Sequence, residues 1–216
     1  MDIERKLTDF ADGITAIDVD YVRPGLAASH LVVDHGRAAF VDTGTSWSVP
    51  NLLAALQARN VDPAQVDWVL TTHVHLDHAG GAGELMRHLP NACCVVHPRG
   101  ARHLADPAKL VAGSIAVYGE ERYRQLYGEI VPVPEGRMRV PADGERITLG
   151  RRTLELVHTP GHALHHYCVV DLDHRRIFSG DNVGISYRDC DVDGRACFFP
   201  TTTPVHCDPE AMIASV

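Results

Sequence analysis

The chain has 216 residues, 45% hydrophobic and 22% charged, with a formal net charge of −8, which fits one soluble globular domain with a substantial core. The acidic balance disfavours a nucleic-acid backbone as partner, because phosphate binding needs a basic surface. No run approaches the roughly 20 apolar residues of a membrane span, and residues 1–6 lead into no apolar signal region. The six cysteines form neither a Cys-x-x-Cys pair nor a dense framework. The expectation is therefore a cytoplasmic protein with reduced thiols and no membrane partner.

In chain order, apolar patterning predicts strands over 13–19, 29–33 and 38–41, the last two joined by a turn at Asp34-His35-Gly36. The third strand ends at Asp42-Thr43-Gly44, where the glycine marks a tight turn. Ser48 is placed to cap a helix over 49–59 that buries Leu52, Leu53 and Leu56, and Asn60-Val61-Asp62-Pro63 stops it. A strand over 67–71, a helix through Glu84, Leu85, Met86 and Leu89, and a buried strand over 92–96 follow. His97 closes that strand and is read as a strand-end residue near the pocket mouth, not as a ligand. Residues 99–128 break the β rhythm with helical patterns and three tyrosines, Tyr118, Tyr123 and Tyr127. We read them as an insertion within a single domain spanning 1–216, serving as a lid or a homodimer face. Pro132, Pro134 and Pro141 mark a loop-rich crossing. Strands then resume over 146–149, 153–157, 167–170 and 176–178. Two strand-rich halves, each carrying helices, predict an α/β fold of two packed sheets covered outside by helices.

The chemistry concentrates in Thr71-Thr72-His73-Val74-His75-Leu76-Asp77-His78-Ala79-Gly80-Gly81. Four metal-binding side chains fall within six positions at the end of an apolar strand. Extended backbone sends alternate side chains to one face, so His73 and His75 converge on one ion. Asp77 and His78 are adjacent, so a turn must intervene before they face a second ion. Ala79, Gly80, Gly81 and Gly83 have little or no side chain to keep the next helix away. Imidazole nitrogen mixed with carboxylate oxygen suits zinc first, then iron or manganese. The competing reading is a polar loop whose histidines are merely solvated.

His-x-His-x-Asp-His resembles the signature of the metallo-β-lactamase-fold hydrolases. Asp42-Thr43-Gly44, Thr159-Pro160-Gly161-His162 and Ser179-Gly180-Asp181 resemble that family's further motifs, in the same order. The Thr-Pro-Gly-His form is most similar to the glyoxalase II-like branch of thioesterases, lactonases and sulfur dioxygenases. The resemblance implies an αβ/βα four-layer sandwich with two metal ions at one edge. It gives His73, His75 and His162 to the first ion and Asp77 and His78 to the second, with Asp181 bridging. Asp42 would support the ligands by accepting an imidazole N–H. His166 is placed behind the ligands in the same way; His158 and His165 stay unassigned, since zinc takes four ligands and a catalytic ion keeps one position open.

The implied reaction is hydrolysis of an ester, thioester or lactone of a small acyl substrate. Two zinc ions would share a hydroxide as nucleophile, and Asp77 would orient it. No Gly-x-Ser-x-Gly elbow offers a serine nucleophile. Two other classes fit the motifs: an iron-dependent persulfide dioxygenase with one ion, and a non-catalytic binding protein whose metals are structural. Members of the family supply one more histidine near the C-terminus, and here the only histidine after Asp181 is His206. Asp208-Pro209 reads as an N-cap and a first helical residue, and the helix so opened is short. The expectation is that the usual C-terminal ligand segment is absent, that His206 is a wall residue, and that the second ion binds weakly.

Overall fold

The protein is described here by a computed structural model that covers residues 3–203 and 207–215. Seven strands form the larger sheet in chain order: β1 (Leu7–Phe10), β2 (Ile14–Asp18), β3 (Ala28–Asp34), β4 (Arg37–Val41), β5 (Val66–Thr71), β6 (Cys93–Val96) and β7 (Met138–Arg139). The first four are an antiparallel meander, and β4 to β7 run parallel. Parallel neighbours need long crossovers. These are α1 (Val49–Ala58), then α2 (Leu76–Ala79) with α3 (Ala82–His88), then α4 (Ala101–Ala105), α5 (Ala108–Tyr118) and α6 (Glu120–Tyr127). The smaller sheet is antiparallel: β8 (Glu145–Leu149), β9 (Arg152–His158), β10 (Tyr167–Asp171) and β11 (Arg176–Phe178).

The larger sheet is buried on both faces, and the side-chain period of two shares its residues between two cores. In β4, Ala38 and Phe40 pack under the helices with Leu52, Leu56, Leu85 and Met86, while Ala39 and Val41 face the smaller sheet. Between the sheets Leu70, Val95, Leu154, Leu156, Tyr167 and Phe178 close the second core. Tyr167 joins the two sheets directly. Its hydroxyl donates to the Val95 carbonyl at 3.0 Å, and its N–H donates to the Thr72 carbonyl at 2.9 Å. The smaller sheet alternates apolar inside and polar outside, as a half-covered antiparallel sheet should. A further helix, α7 (Pro209–Ala214), packs at the turn after β9 through Met212 and Gly161.

The α/β class and the two-sheet architecture agree with the sequence reading, but several local expectations do not. Strands β1 and β7 extend the larger sheet at its two edges without having been anticipated. Ser48 does not cap α1; its hydroxyl accepts the Thr45 N–H and donates to the Val19 carbonyl instead. His97 does not line the metal cleft. It is buried against His158, ring centroids 4.2 Å apart. The close approach foreseen for α3 is real: a Cβ on Gly83 would lie 1.9 Å from the Val131 carbonyl oxygen. Asp208 caps α7 through the Ala211 N–H at 3.0 Å. All six cysteines are free thiols. Among the described residues no helix is long and apolar enough to cross a membrane.

One end of the smaller sheet is fastened by a charge pair. Arg152, 2% exposed, donates from Nη1 to Asp171 Oδ2 at 2.7 Å, with Asp171 fully buried. The same guanidinium donates to the Asp12 carbonyl of the first hairpin. Burial pushes the Asp171 carboxyl up, but backbone N–H donation at His174 and the Arg152 guanidinium prevail and hold it below its ordinary value. Arg152→Met should take the guanidinium from a buried carboxylate that keeps only the His174 imidazole and the backbone N–H groups of Asp173 and His174, costing up to about 3–5 kcal/mol of stability in urea unfolding near neutral pH. Because the folded carboxyl is depressed, Asp171's contribution is present above its unfolded pKa and lost as pH falls through the folded one. The wild-type advantage over the variant should therefore shrink below about pH 4, the ordinary carboxyl range.

Candidate metal centre

Four strand ends deliver the cluster. Strand β5 stops at Thr71, the chain bends at Thr72-His73, and the extended His75 leads into α2, whose first turn carries Asp77 and His78. Strand β9 leads to the turn bearing His162, β11 leads to Asp181, and β4 ends at Asp42. His73 Nε2 lies 2.9 Å from His75 Nδ1, and His162 Nε2 lies 3.1 Å from the same atom. Three nitrogens bound tetrahedrally at 2.0–2.1 Å from one zinc would stand about 3.3 Å apart, so this trio is spaced to hold one ion. Ligand atoms of His73, His78 and Asp181 form a second such group. Asp181 stands between the groups, Oδ1 at 3.2 Å from His78 Nε2 and Oδ2 at 3.5 Å from His162 Nε2. Asp77 sits at the rim, partly exposed, with Oδ2 3.8 Å from His78 Nε2.

The nitrogens of His73, His78 and His162 that face away from the cluster are each engaged. Asp42 Oδ2 accepts from His78 Nδ1 at 2.8 Å, and Asp42 also accepts the Thr72 N–H and the Thr72 hydroxyl, each at 2.8 Å. Since the Thr72 hydroxyl donates to a carboxylate, its oxygen accepts from His73 Nδ1 at 3.1 Å. By the same logic the Thr201 hydroxyl donates to the Asp181 carbonyl at 2.6 Å and accepts from His162 Nδ1 at 2.9 Å. Protons on these outer nitrogens leave lone pairs facing inward, the tautomers that metal ligation requires. Asp42 thus serves the cluster as expected, and its turn is also real: its φ is 60°.

The electrostatics agree with a site for cations. Burial lowers His73, His75 and His162, with His75 brought to about 4, and keeps them neutral. Burial also opposes a charge on His78, yet Asp181, Asp42 and Asp77 together raise it well above the ordinary imidazole value. Asp181 is pushed up by burial but held well below the usual carboxylate range by His78 and His162. Positive charge is therefore favoured between His78 and Asp181.

Of the other histidines, His166 is fully buried beside the cluster, its Nδ1 2.8 Å from the Thr159 hydroxyl and its Nε2 without a partner. A Cβ on Gly180 would lie 2.6 Å from that Nε2, so only glycine fits there, at φ 49°. His165 lies against His73 and His75, with ring centroids at 6.3 and 5.5 Å. His158 belongs with His97 instead. His206 lies outside the described residues. Sequence reasoning missed Thr72 and Thr201. Thr72 could have been found from its place directly before His73, but nothing local marks Thr201, which is 39 positions from His162.

The cluster opens into a cleft of about 1260 Å³ lined by His75, Asp77, His78, His162 and Asp181 at its floor. Three comparisons bear on it. The family model described as Metallo-beta-lactamase superfamily matches residues 22–203. The crystal structure of an archaeal metallo-β-lactamase superfamily protein from Sulfolobus tokodaii aligns with a TM-score of 0.73 at 25% identity, covering 95% of this chain and 74% of that one. An atrochrysone carboxyl ACP thioesterase of Aspergillus fumigatus is 27% identical over 159 residues, 74% of this chain and 38% of the relative. A hydroxyacylglutathione hydrolase of Aeromonas hydrophila is 27% identical over 154 residues, 71% of this chain and 45% of the relative. This chain spans less than half the length of either curated relative.

If Asp42 holds the ligands from behind, Asp42→Asn should weaken metal binding about 10–100-fold while the fold persists. Competition against a chromophoric chelator measures the affinity, and circular dichroism checks the fold.

Proposed function

The chain belongs to the metallo-β-lactamase superfamily, and on that premise we propose that it is a metal-dependent hydrolase cleaving a carboxylic ester, thioester or lactone. The observation that carries the proposal is the position of Asp181, one oxygen toward His78 and the other toward His162, at the floor of an open cleft. Likeness to a relative named as a thioesterase and to a hydroxyacylglutathione hydrolase, the latter favouring the glyoxalase II-like branch, supports acyl transfer to water.

In this reading His73, His75 and His162 would hold one zinc ion and Asp77 and His78 a second, with Asp181 available as a ligand to either. Zinc held there would supply Lewis acidity toward a carbonyl and lower the pKa of a bound water from 15.7 to about 7. The protein's own groups do the rest. Asp77, at the rim and facing the cleft, accepts a hydrogen bond from the incoming water and so orients it. Asp42 and Thr72 keep the inward lone pairs of His78 and His73 in place, and the Thr201 hydroxyl ties His162 to the Asp181 backbone. Fixed groups need no reorganisation during reaction, which is where sites of this kind gain rate.

Elemental analysis of protein purified without added metal, together with assays on simple thioesters and lactones, tests the proposal. Two zinc ions per chain with turnover is the expected result. One iron with oxygen uptake on a persulfide would replace the hydrolase reading by an oxygenase. Asp181→Ala should lose or loosen both ions and reduce kcat by at least about 100-fold, an order set by loss of a transition-state electrostatic contact. A variant that keeps full metal content and activity would remove Asp181 from the bridging role.

A further inference from the structure

Helix α5 is unusual for its surroundings. Of its eleven residues only Lys109 is charged, yet none is buried, and Val117 is 74% exposed. Leu110, Val111 and Ile115 lean on the small core formed by Leu76, Tyr123 and Tyr127. Leu110, Ser114 and Tyr118, four residues apart and hence on one face, line the same cleft as Asp77 and His78. Tyr21 and Tyr127 continue that wall. Their rings stack at 5.9 Å and 26°, and their hydroxyls are 3.0 Å apart, so these two polar tips satisfy each other. Across the cleft, Ile177 and Phe178 present further apolar surface, with Ile177 64% exposed.

We propose that this wall, Leu110, Ser114 and Tyr118 of α5 with Tyr21 and Tyr127, is an acyl-binding subsite selecting bulky apolar acyl groups over short ones. The wall is continuous with the ligand cluster, so an acyl carbonyl at the floor places its chain along α5. The α5 face turned to the cleft contributes no charged side chain, which suits a hydrocarbon; the cations Arg5 and Lys6 that line the same cleft come from the N-terminal segment. An apolar helix left unburied gains the contacts it lacks when a chain of several carbons lies against it. The turnover arm of the test rests on the hydrolase reading; the binding arm does not.

The test uses the holoenzyme and two N-acetylcysteamine thioesters that differ only in acyl group, acetyl and octanoyl. A buried methylene contributes about 0.8 kcal/mol, roughly fourfold. If three of the six extra carbons are buried, kcat/KM should favour octanoyl by about 60-fold. Leu110→Ala and Leu110→Asp should each lower that ratio, the charged variant by at least about tenfold. Val117→Asp, on the outward face, should leave it as in the wild type. Where turnover occurs, a wild-type ratio within about threefold of unity overturns the subsite. Calorimetric titration with octanoate and acetate decides the matter if neither thioester is turned over. Octanoate binding at least about tenfold tighter sustains the subsite and rejects the hydrolase reading alone; equal affinities overturn the subsite and leave the wall to a second copy of the chain.

Discussion

Asp42 is a buried carboxylate held by three donors: the Thr72 N–H, the Thr72 hydroxyl and His78 Nδ1. A charge taken from water is tolerated only when hydrogen bonds replace those it lost. The geometry that satisfies Asp42 is also the geometry that aims His73 and His78. Disturbing either would leave a buried charge unpaired, so the ligands are orientated by the same requirement that keeps the fold from opening at β4. The Asp42 N–H donating to the Leu70 carbonyl ties this corner to the neighbouring parallel strand.

The second half of the cluster arrives through a different constraint. His162 and Asp181 come from the smaller sheet, and their placement depends on how that sheet packs on the larger one. Tyr167 sets the packing at one point, bonded both to Val95 in β6 and to Thr72 behind His73. Gly180 sets it at another, since any side chain there would meet His166 and Thr72. The cluster is therefore an interface between two sheets, each of which brings an incomplete ligand set. That is an efficient way to make ligation depend on the whole fold, and to hold distances that loops alone would not hold.

On the acyl-subsite proposal, the insertion between β6 and β7 bears on specificity more than on ligation. It packs on Leu76, the residue before Asp77, so its position and that of α2 are linked through a small aromatic core. Its contribution to the cleft is a wall with hydroxyl-bearing rings and aliphatic side chains. The floor carries polar and charged groups, the wall apolar ones. This division of labour is common where a scaffold presents one chemistry to many substrates.

What the sequence determined by itself follows from short-range rules. The close spacing of His73 and His75 brought them together as expected, although across a bend after β5 and not along an extended strand. The adjacency of Asp77 and His78 required a turn, which α2 provides, and the small residues after it let α3 approach. Short-range rules alone read Asp42-Thr43-Gly44 as a tight turn; the support role of Asp42 came from the resemblance to the family's motif. The resemblance assigned His162 and placed His166 behind the ligands; tertiary structure alone decided the two histidines left open, His165 lying against His73 and His75 while His158, four residues before His162, turns to His97. Thr201, the strands β1 and β7, and the use of Ser48 on Val19 instead of a helix cap carried no local signal either. Except for β1, which pairs with the neighbouring β2, their partners lie tens of residues away, as do those of the cluster: His75 and His162 are 87 positions apart. Separations of that size are closed by the packing of the two sheets, a property of the assembled core and not of any stretch of chain.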